Sequence, residues 1–231
     1  MILGANDVLL MIGDSITDCE RSRPEIDGVE PSLGAGYVSM VAATLGRLYP
    51  ERAIRVINKG NSGDTTRQLK ARWQRDVLDI APDWLSIKIG INDVWRTFDQ
   101  PDDPSAGVGI DEYRANLDQL IVSAKPVVAK GVILMTPYFI EPDRSEPMRA
   151  MMDQFGRVVR ELADRHEALL VDTQAPFDEE LLDKEGKKHH PMHFCADRVH
   201  PNPRGHYLIA RAFLAAVGAA VPDELNLWSR T

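Results

Sequence analysis

A short apolar run near the N-terminus ends abruptly in a glycine, an aspartate and a serine. Five consecutive apolar residues, 8–12, precede Gly13, Asp14 and Ser15. The run is too short for the core of a helix and suits a strand of a parallel sheet covered on both faces. Ser15 would then lie where the strand gives way to a helix, at the edge where open α/β sheets bind ligands. It is a candidate nucleophile, although a serine there fits a helix cap almost equally well.

Strand and helix patterns alternate along the rest of the chain. Further apolar runs predict strands at 54–57, 83–89, 131–135 and 168–171. The spacing of apolar residues predicts helices at 37–48, 65–80, 111–124, 148–166 and 203–217, with a helical turn at 177–182 and polar loops at 21–36 and 98–110. This alternation predicts one α/β domain over residues 1–231, a three-layer α/β/α sandwich with a central, mostly parallel five-stranded sheet.

Composition and charge argue against several partners. The formal net charge is −8 and no Lys/Arg stripe is present, so nucleic acid is not an expected partner. No apolar stretch reaches the ~20 residues that a membrane span needs, and the N-terminus lacks a signal-peptide pattern. We therefore expect a cytoplasmic protein. Cys19 and Cys195 form neither a disulfide framework nor a metal-ligand spacing and are expected to be reduced thiols.

Residues that could activate a serine stand near the C-terminus. Asp197 and His200 are three apart in a loop-like stretch before the last predicted helix. A serine nucleophile needs a base to take its proton and a carboxylate to orient that base. It also needs donors for the charge that develops on the substrate oxygen. The candidates are the N–H groups of Ser15 and Gly63 and the amide of Asn92, which all follow predicted strands and would meet at one sheet edge.

Four ordered blocks of the chain resemble the SGNH (GDSL-type) hydrolases. They are Gly13-Asp14-Ser15, Asn58-x-Gly60-x-x-Gly63, Gly90-x-Asn92-Asp93 and Asp197-x-x-His200-Pro201. The resemblance implies a flavodoxin-like fold with Ser15 as nucleophile, His200 as general base and acid, and Asp197 as its partner. It also implies that Ser15, Gly63 and Asn92 form the oxyanion hole, with no metal and no cofactor.

Further segments are similar to one branch of that family, the bacterial intracellular acetyl xylan esterases. They are Arg23-Pro24, Gly36-Tyr37-Val38, the run 90–96, Leu134-Met135-Thr136-Pro137 and Met151-Met152-Asp153-Gln154. Members of this branch remove acetyl groups from xylo-oligosaccharides and assemble as homo-oligomers. The resemblance therefore implies an acetyl esterase that acts on small acetylated sugars and forms a homo-oligomer. Residues 183–195 do not follow the pattern of this branch.

Several residues allow two interpretations. Trp95 and Tyr138 follow strands and could stack on a sugar, or could simply pack at the rim. Asp14 and Asp93 are expected to cap turns rather than act in catalysis. The histidines of the run 189–193 are expected to lie in a solvated loop and not to bind a metal.

Two other functions stay open at this point. One is a thioesterase or lysophospholipase of the same superfamily, which would prefer long acyl chains. The other, from a different class, is a flavodoxin-like module that binds a small molecule without turnover. The chain carries a complete set of a serine, an aspartate, a histidine and the candidate oxyanion donors. A binding module does not need all of these together, so their presence argues against that function.

Overall fold

The computed structural model describes residues 1–23, 30–181 and 190–220, and a five-stranded sheet lies at its centre. The strands are β1 (Val8–Gly13), β2 (Arg55–Gly60), β3 (Trp84–Lys88), β4 (Gly131–Met135) and β5 (Leu169–Val171). They are hydrogen-bonded in the order β2-β1-β3-β4-β5, and every pair is parallel. The predicted parallel sheet is confirmed. The chain adds β2 on one side of β1 and then β3 on the other side. At such a reversal of strand order, a crevice forms at the carboxyl ends of the strands.

Helices cover both faces of the sheet. They are α1 (Ser15–Asp18), α2 (Tyr37–Leu48), α3 (Thr66–Trp73), α4 (Ile91–Asp99), α5 (Ile110–Ala124), α6 (Pro147–His166), α7 (Gln174–Glu180) and α8 (Pro203–Ala216). Helix α2 packs against α8, whereas α3 and α6 both pack against α5. These two groups form the outer layers of the predicted sandwich.

Burial explains why the first strand is apolar throughout. Residues 9–12 of β1 are fully buried, because layers of helices cover both faces of the sheet. The glycine that ends the strand is required by close packing. A Cβ added to Gly13 would lie 2.1 Å from the Lys88 carbonyl oxygen and 2.5 Å from Thr17 Oγ1. Only glycine lets β1 pass this close to β3 and turn directly into α1.

The structure corrects the sequence-based prediction between 90 and 110. The sequence pattern predicts no helix between 90 and 110 and a loop at 98–110, but α4 begins at Ile91 and ends at Asp99. Gly90, with φ of +135°, brings the chain straight from the strand into the helix. The predicted helix 65–80 also differs, because regular α3 ends at Trp73 and continues as a π-helical turn, Gln74–Leu78.

The two loops near the predicted site are described only in part. Of the loop 21–36, residues 24–29 lie outside the described residues, and Glu30–Leu33 forms a 3₁₀ turn. Of the segment 183–196, residues 183–189 lie outside the described residues, so the prediction for His189 has no structural counterpart. Pro191–His193 forms another 3₁₀ turn. Both cysteines are free thiols.

The described residues contain neither a membrane-spanning helix nor a group of side chains that could hold a metal ion. Within 1–23, 30–181 and 190–220, no helix has both the length and the apolarity to cross a bilayer. Within the same ranges, no three side chains of His, Cys, Asp or Glu are grouped closely enough to hold a metal ion.

Candidate active site

The structure brings the three predicted triad residues together. Ser15 Oγ lies 3.0 Å from His200 Nε2, and His200 Nδ1 lies 2.7 Å from Asp197 Oδ2. Because an ionised carboxylate only accepts hydrogen bonds, the proton of a neutral imidazole resides on Nδ1. Nε2 is then left to accept the hydroxyl of Ser15. The arrangement can therefore carry a proton from Ser15 to His200.

A short loop closed by a bridge between Cys195 and Pro201 holds the aspartate and the histidine side by side. Asp197 Oδ1 accepts hydrogen bonds from the backbone N–H groups of Val199 at 3.0 Å and His200 at 2.7 Å. Partial burial raises the pKa of Asp197, but the hydrogen bonds from the His200 ring and from these backbone groups outweigh it and lower the pKa below its usual range. Asp197 is therefore ionised at neutral pH.

Ser15 is the first residue of α1, directly after β1. Asp14 is the helix cap, since its Oδ1 accepts a hydrogen bond from Ile16 N at 3.0 Å. The alternative that Ser15 serves only as the cap is therefore wrong. Within the described part of the chain, the backbone N–H of Ser15 donates no hydrogen bond. It is available to a ligand, as expected for the first turn of a helix.

Gly63 lies in a tight turn, residues 61–64, that follows β2. Its φ of +85° is in the left-handed region that favours glycine. The turn is closed by a hydrogen bond from Asp64 N to Asn61 O at 3.3 Å, and Asn61 Nδ2 donates to Asp64 Oδ1 at 2.7 Å. Among the residues that the structure describes, none accepts a hydrogen bond from Gly63 N. The turn thus presents a second unpaired backbone donor.

Asn92 lies in the first turn of α4, after β3, and is buried. Its Nδ2 donates to the Asp64 carbonyl oxygen at 2.9 Å. This bond uses one of the two amide hydrogens, fixes the orientation of the side chain and leaves the second hydrogen for a ligand. Asp64, which sequence reasoning missed, therefore links the Gly63 turn to Asn92. Its place directly after Gly63 is the signal that could have identified it.

Asp93 holds the start of the neighbouring helix, as predicted. Its Oδ1 accepts hydrogen bonds from Thr66 N at 3.0 Å and from Thr66 Oγ1 at 2.5 Å. Burial raises the pKa of Asp93 to about 7, although these hydrogen bonds oppose the rise. Its carboxyl is fully buried and away from the solvent, which fits a structural role.

One cavity of about 510 Å³ unites these groups. Ser15, Gly63, Asn92 and His200 all line it. The rest of its wall is formed by Ile16, Cys19, Glu20, Ser62, Trp95, Arg96, Pro201 and His206. The volume suits a small-molecule ligand. The expectation that residues following β1, β2 and β3 converge at one sheet edge is confirmed.

Trp95 lies in the cavity wall, where the sequence predicted a sugar-binding residue. Its ring is 5.7 Å from the ring of His200 at an interplanar angle of 62°, an edge-to-face contact. The guanidinium carbon of Arg96 lies 5.6 Å from the centre of the Trp95 ring. Trp95 therefore contacts the triad histidine directly, and its stacking on a sugar stays a prediction.

Tyr138 is not a substrate-binding residue, and the prediction that it stacks on a sugar is wrong. It is fully buried, with its ring 4.7 Å from that of Phe177 and 4.5 Å from Lys88 Nζ. Its hydroxyl donates to the Val199 carbonyl oxygen at 3.1 Å, the kind of partner that a buried tyrosine needs. Tyr138 thus supports the loop of the aspartate–histidine pair from the inside.

The segment after β4 holds the same loop at two further points. Ile140 N donates to Arg198 O at 2.9 Å, and Arg198 Nη1 donates to Glu141 Oε2 at 2.7 Å. The Arg198 guanidinium carbon also lies 4.8 Å from the centre of the Phe139 ring. The continuous apolar run 138–140 was the sequence signal for burial of this segment.

Two buried titratable side chains, Asp14 and Lys88, belong to the strand ends beside Ser15. Burial lowers the pKa of Lys88 to about 8, and the nearby Asp14 opposes this. Burial likewise raises the pKa of Asp14, and Lys88 opposes that rise. Asp14 Oδ2 has no hydrogen-bond partner within the described residues. Each group therefore favours the charged form of the other, against the cost of burying that charge.

The cysteine of the cavity wall is not an activated nucleophile. His206 Nδ1 accepts from Tyr37 N at 3.2 Å, so its proton lies on Nε2, which is 3.3 Å from Cys19 Sγ. Burial lowers the pKa of His206 to about 4, and burial raises the pKa of the Cys19 thiol. At neutral pH the wall therefore carries a neutral imidazole and a protonated thiol.

Comparisons with known proteins give one consistent picture. Residues 11–208 match the model of the GDSL-like lipase/acylhydrolase family. An acetylxylan esterase from Geobacillus stearothermophilus is 52% identical over 218 residues, which cover 94% of this chain and 97% of that protein.

Solved structures agree with the sequence comparison. Crystal structures of catalytic mutants of that esterase, in which a serine, an aspartate or a histidine is replaced by alanine, are 50% identical with TM-scores of 0.89 or 0.90. The alignment with the serine mutant covers 95% of this chain and 98% of that one. An alpha/beta hydrolase from the metagenome of Lake Arreo, Spain, is 47% identical with a TM-score of 0.91, over 96% of this chain and 100% of that one.

Proposed function

The chain belongs to the GDSL-like lipase/acylhydrolase family, and on this premise we propose that it is a serine esterase that removes acetyl groups from xylo-oligosaccharides or related sugars. One observation carries the proposal. Hydrogen bonds run from Ser15 through His200 to Asp197 at the wall of a cavity that suits a small ligand. A serine in this arrangement is a nucleophile with its base and its orienting carboxylate in place.

In the first half-reaction, His200 takes the hydroxyl proton while Ser15 Oγ attacks the acetyl carbonyl carbon. The imidazolium that forms lies against the carboxylate of Asp197, which is ionised because its pKa is lowered. His200 then gives the proton to the sugar oxygen as the carbon–oxygen bond breaks. The sugar leaves as an alcohol, and the acetyl group stays on Ser15.

The carbonyl oxygen becomes negatively charged as the serine attacks. Three donors stabilise this charge: the N–H group of Ser15, the N–H group of Gly63 and the second amide hydrogen of Asn92. Each is fixed by the fold before substrate arrives, so no reorganisation is needed during the reaction. A donor of this kind contributes about 10²–10³-fold to kcat.

The second half-reaction regenerates the enzyme. A water molecule attacks the acetyl carbonyl of the acylated Ser15 while His200 takes one of its protons. The same donors stabilise the second tetrahedral intermediate. His200 returns the proton to Ser15 Oγ, and acetate leaves.

The acetyl group and the sugar are supported by the similarity to the Geobacillus acetylxylan esterase. The catalytic mutants of that enzyme replace the same three residue types that meet in this cavity. Trp95 adds an aromatic surface beside the triad, of the kind on which sugar rings pack.

The first test is release of acetate from a nitrophenyl acetate and from acetylated xylo-oligosaccharides, in the presence of a chelator. Ser15→Ala should lower kcat by at least about 10⁵-fold and leave the melting temperature unchanged, because the nucleophile is lost and the fold is not touched. Ser145→Ala, at an exposed serine in a loop, is the matched control and should retain full activity.

Other outcomes would redirect the assignment. Undiminished turnover by Ser15→Ala would refute the serine mechanism. A preference for acyl chains of eight carbons or more would favour a thioesterase or lysophospholipase over an acetyl esterase. Cleavage of neither substrate by the wild type would favour the binding module.

Trp95 is the second residue to test. If its ring packs on the sugar, Trp95→Leu should raise KM for the oligosaccharide by about tenfold, since one aromatic contact contributes about 0.5–1.5 kcal/mol beyond its buried area. KM for the nitrophenyl acetate should change by less than about twofold. Trp95→Phe, which keeps a ring beside His200, serves as the control. Equal effects on both substrates would assign Trp95 to positioning of His200 alone.

Assembly and location extend the proposal. We infer from the resemblance to the acetyl xylan esterases a homo-oligomer that acts in the cytoplasm. Sedimentation equilibrium of the purified chain tests the first point, and activity in fractions of the source cells tests the second. A monomer across the micromolar range would refute the oligomer.

A further inference from the structure

Arg72 joins the segments that carry the three oxyanion donors, although it lies in none of the motifs that the sequence revealed. Its side chain extends from α3 and is only 10% exposed. Nε donates to Asp64 Oδ2 at 2.6 Å, and Nη2 donates to Gly13 O at 2.9 Å. Nη1 donates to Lys59 O at 2.7 Å and to Asp76 Oδ2 at 3.0 Å. All three nitrogens of this side chain are therefore hydrogen-bonded.

The contact with Gly13 fixes the chain that leads to Ser15. The Gly13 carbonyl oxygen accepts from Arg72 Nη2 and also from Asn61 N, both at 2.9 Å. Two donors occupy both lone pairs of this oxygen and fix the orientation of its peptide group. Since Ser15 is two residues further on, the direction of its N–H depends on this peptide.

The contacts with Lys59 and Asp64 lie on either side of the turn that presents Gly63. Arg72 therefore spans the turn, with one bond to Lys59 in the strand before it and a charge-assisted bond to Asp64, its last residue. The turn cannot open or rotate without breaking one of these bonds. The direction of the Gly63 N–H is fixed in this way.

The third donor is reached through Asp64. Its side chain is held by Arg72, and its carbonyl oxygen accepts from Asn92 Nδ2 at 2.9 Å. A displacement of Asp64 would therefore rotate the amide of Asn92. Through one residue, the guanidinium constrains both the second and the third donor.

We propose that Arg72 is a positioning residue that aligns the oxyanion donors, an inference that rests on the esterase function proposed above. Arginine fits the task because its rigid, planar group reaches carbonyl oxygens of two strands and a carboxylate at once, which the single ammonium of lysine cannot do. The carboxylates of Asp64 and Asp76 compensate its buried charge.

The test compares Arg72→Gln with Arg67→Gln, an arginine on the same helix. Arg67 also donates three hydrogen bonds, but to Glu112 and Ser105, away from the donors. On a nitrophenyl ester that the wild type cleaves, Arg72→Gln should lower kcat by about 10²-fold with KM within about twofold. The pH profile should keep its shape, because the His200–Asp197 pair is untouched. Arg67→Gln should keep kcat within about twofold.

A double-mutant cycle separates positioning from general loosening of the fold. If Arg72 acts through the donors, Arg72→Gln in an Asn92→Ala background should cost at least about fivefold less in kcat than in the wild type. A residue that only stabilises the fold would give the same factor in both backgrounds. Should Arg72→Gln not fold, the cycle is run with Arg72→Lys, which keeps the charge beside Asp64 and Asp76.

The outcomes distinguish this inference from the esterase assignment. The esterase function stands if the wild type cleaves esters and Ser15→Ala does not. The positioning role is then overturned if Arg72→Gln keeps kcat within about threefold, or if its effect on kcat is additive with that of Asn92→Ala. If the wild type cleaves no ester of any chain length, the proposed function fails and the inference fails with it. A large, non-additive loss confined to the Arg72 variants supports both.

Discussion

The two halves of this site are built in opposite ways. The half that holds the proposed oxyanion donors consists of two helix starts and one tight turn, each directly after a strand, and buried residues such as Asp64 and Asn92 link them. The other half is a surface loop, in which the side chains of Asp197 and His200 are 42% and 45% exposed. The donors must be held still to act, whereas the imidazole must exchange protons with water and a leaving group.

This contrast predicts different consequences of mutation. In the buried half, a lost partner leaves a polar group unsatisfied in the interior, which costs stability as well as rate. In the exposed half, water replaces the lost partner, so that the rate should fall far more than the stability. Substitutions in each half, and the pH dependence of stability, test whether the halves differ in this way.

A pair of matched aspartate substitutions should separate the halves most clearly. Asp197→Asn should lower kcat by about 10³–10⁴-fold, because an amide facing Nδ1 favours the wrong tautomer of His200. Its remaining oxygen can still hold the backbone N–H groups of the loop, so the urea midpoint should fall much less than in the buried half. Asp64→Asn should lower kcat by only about 10–10²-fold but cost about 1.5–3 kcal/mol of stability, since the buried Arg72 loses one of its two carboxylate partners. Equal losses of stability in the two variants would contradict the comparison.

Tyr138→Phe tests how the exposed half is held. It removes the hydroxyl that donates to the Val199 carbonyl oxygen and nothing else. We expect a loss of about 1 kcal/mol in the free energy of unfolding and a fall in kcat of about threefold to tenfold, as the loop of His200 loosens. Tyr49→Phe, which removes a hydroxyl bonded to Ala220 N, is the control and should leave kcat unchanged. An unaltered kcat for Tyr138→Phe would show that the loop holds itself.

The pH dependence of stability should also differ between the halves. The pKa of Asp93 is about 7 in the folded protein, against 3.8 for an unperturbed aspartate. Between these values the folded state binds more protons than the unfolded state, so stability falls as pH rises. The stability of the wild type relative to Asp93→Asn should therefore fall by up to about 1.4 kcal/mol per pH unit from about pH 4 to pH 7.

Asp197→Asn is the control for this titration, because the pKa of Asp197 is shifted in the opposite direction to that of Asp93. The pKa of Asp197 is lowered, so its contribution is present above the ordinary aspartate pKa and is lost only as pH falls below it. Urea unfolding at four pH values measures both differences. A flat difference for Asp93→Asn would show that its carboxyl is already ionised in the fold.

The sequence predicted the sheet and the triad for physical reasons that are visible in particular residues. The run 8–12 is apolar because both faces of β1 are covered, and that pattern needs no tertiary information. Ser15 and His200 were identified from motifs at strand and helix ends. The helix Ile91–Asp99 was missed because Gly90, Asn92 and Asp93 are also typical of turns.

The supporting residues could not be predicted in the same way. Tyr138 follows a strand at the correct edge, but only the packed structure shows that it points away from the cavity. Arg72 lies on the polar side of a helical pattern, which favoured a solvated face. The one local signal was Asp76 four residues later, the spacing of an ion pair on a helix. Its bonds to Gly13 and Lys59 depend on the sheet and have no counterpart in the local sequence.

The bond between Ser15 and His200 joins residues 185 positions apart. During synthesis, the proposed nucleophile therefore leaves the ribosome long before its base, with four of the five strands translated in between. In the proposed mechanism, a nascent chain presents Ser15 without the histidine that would activate it. Hydrolysis begins only when β5 has paired with the sheet and the loop that carries Asp197 and His200 has packed beside Ser15. The activity therefore reports that these late parts of the chain have folded.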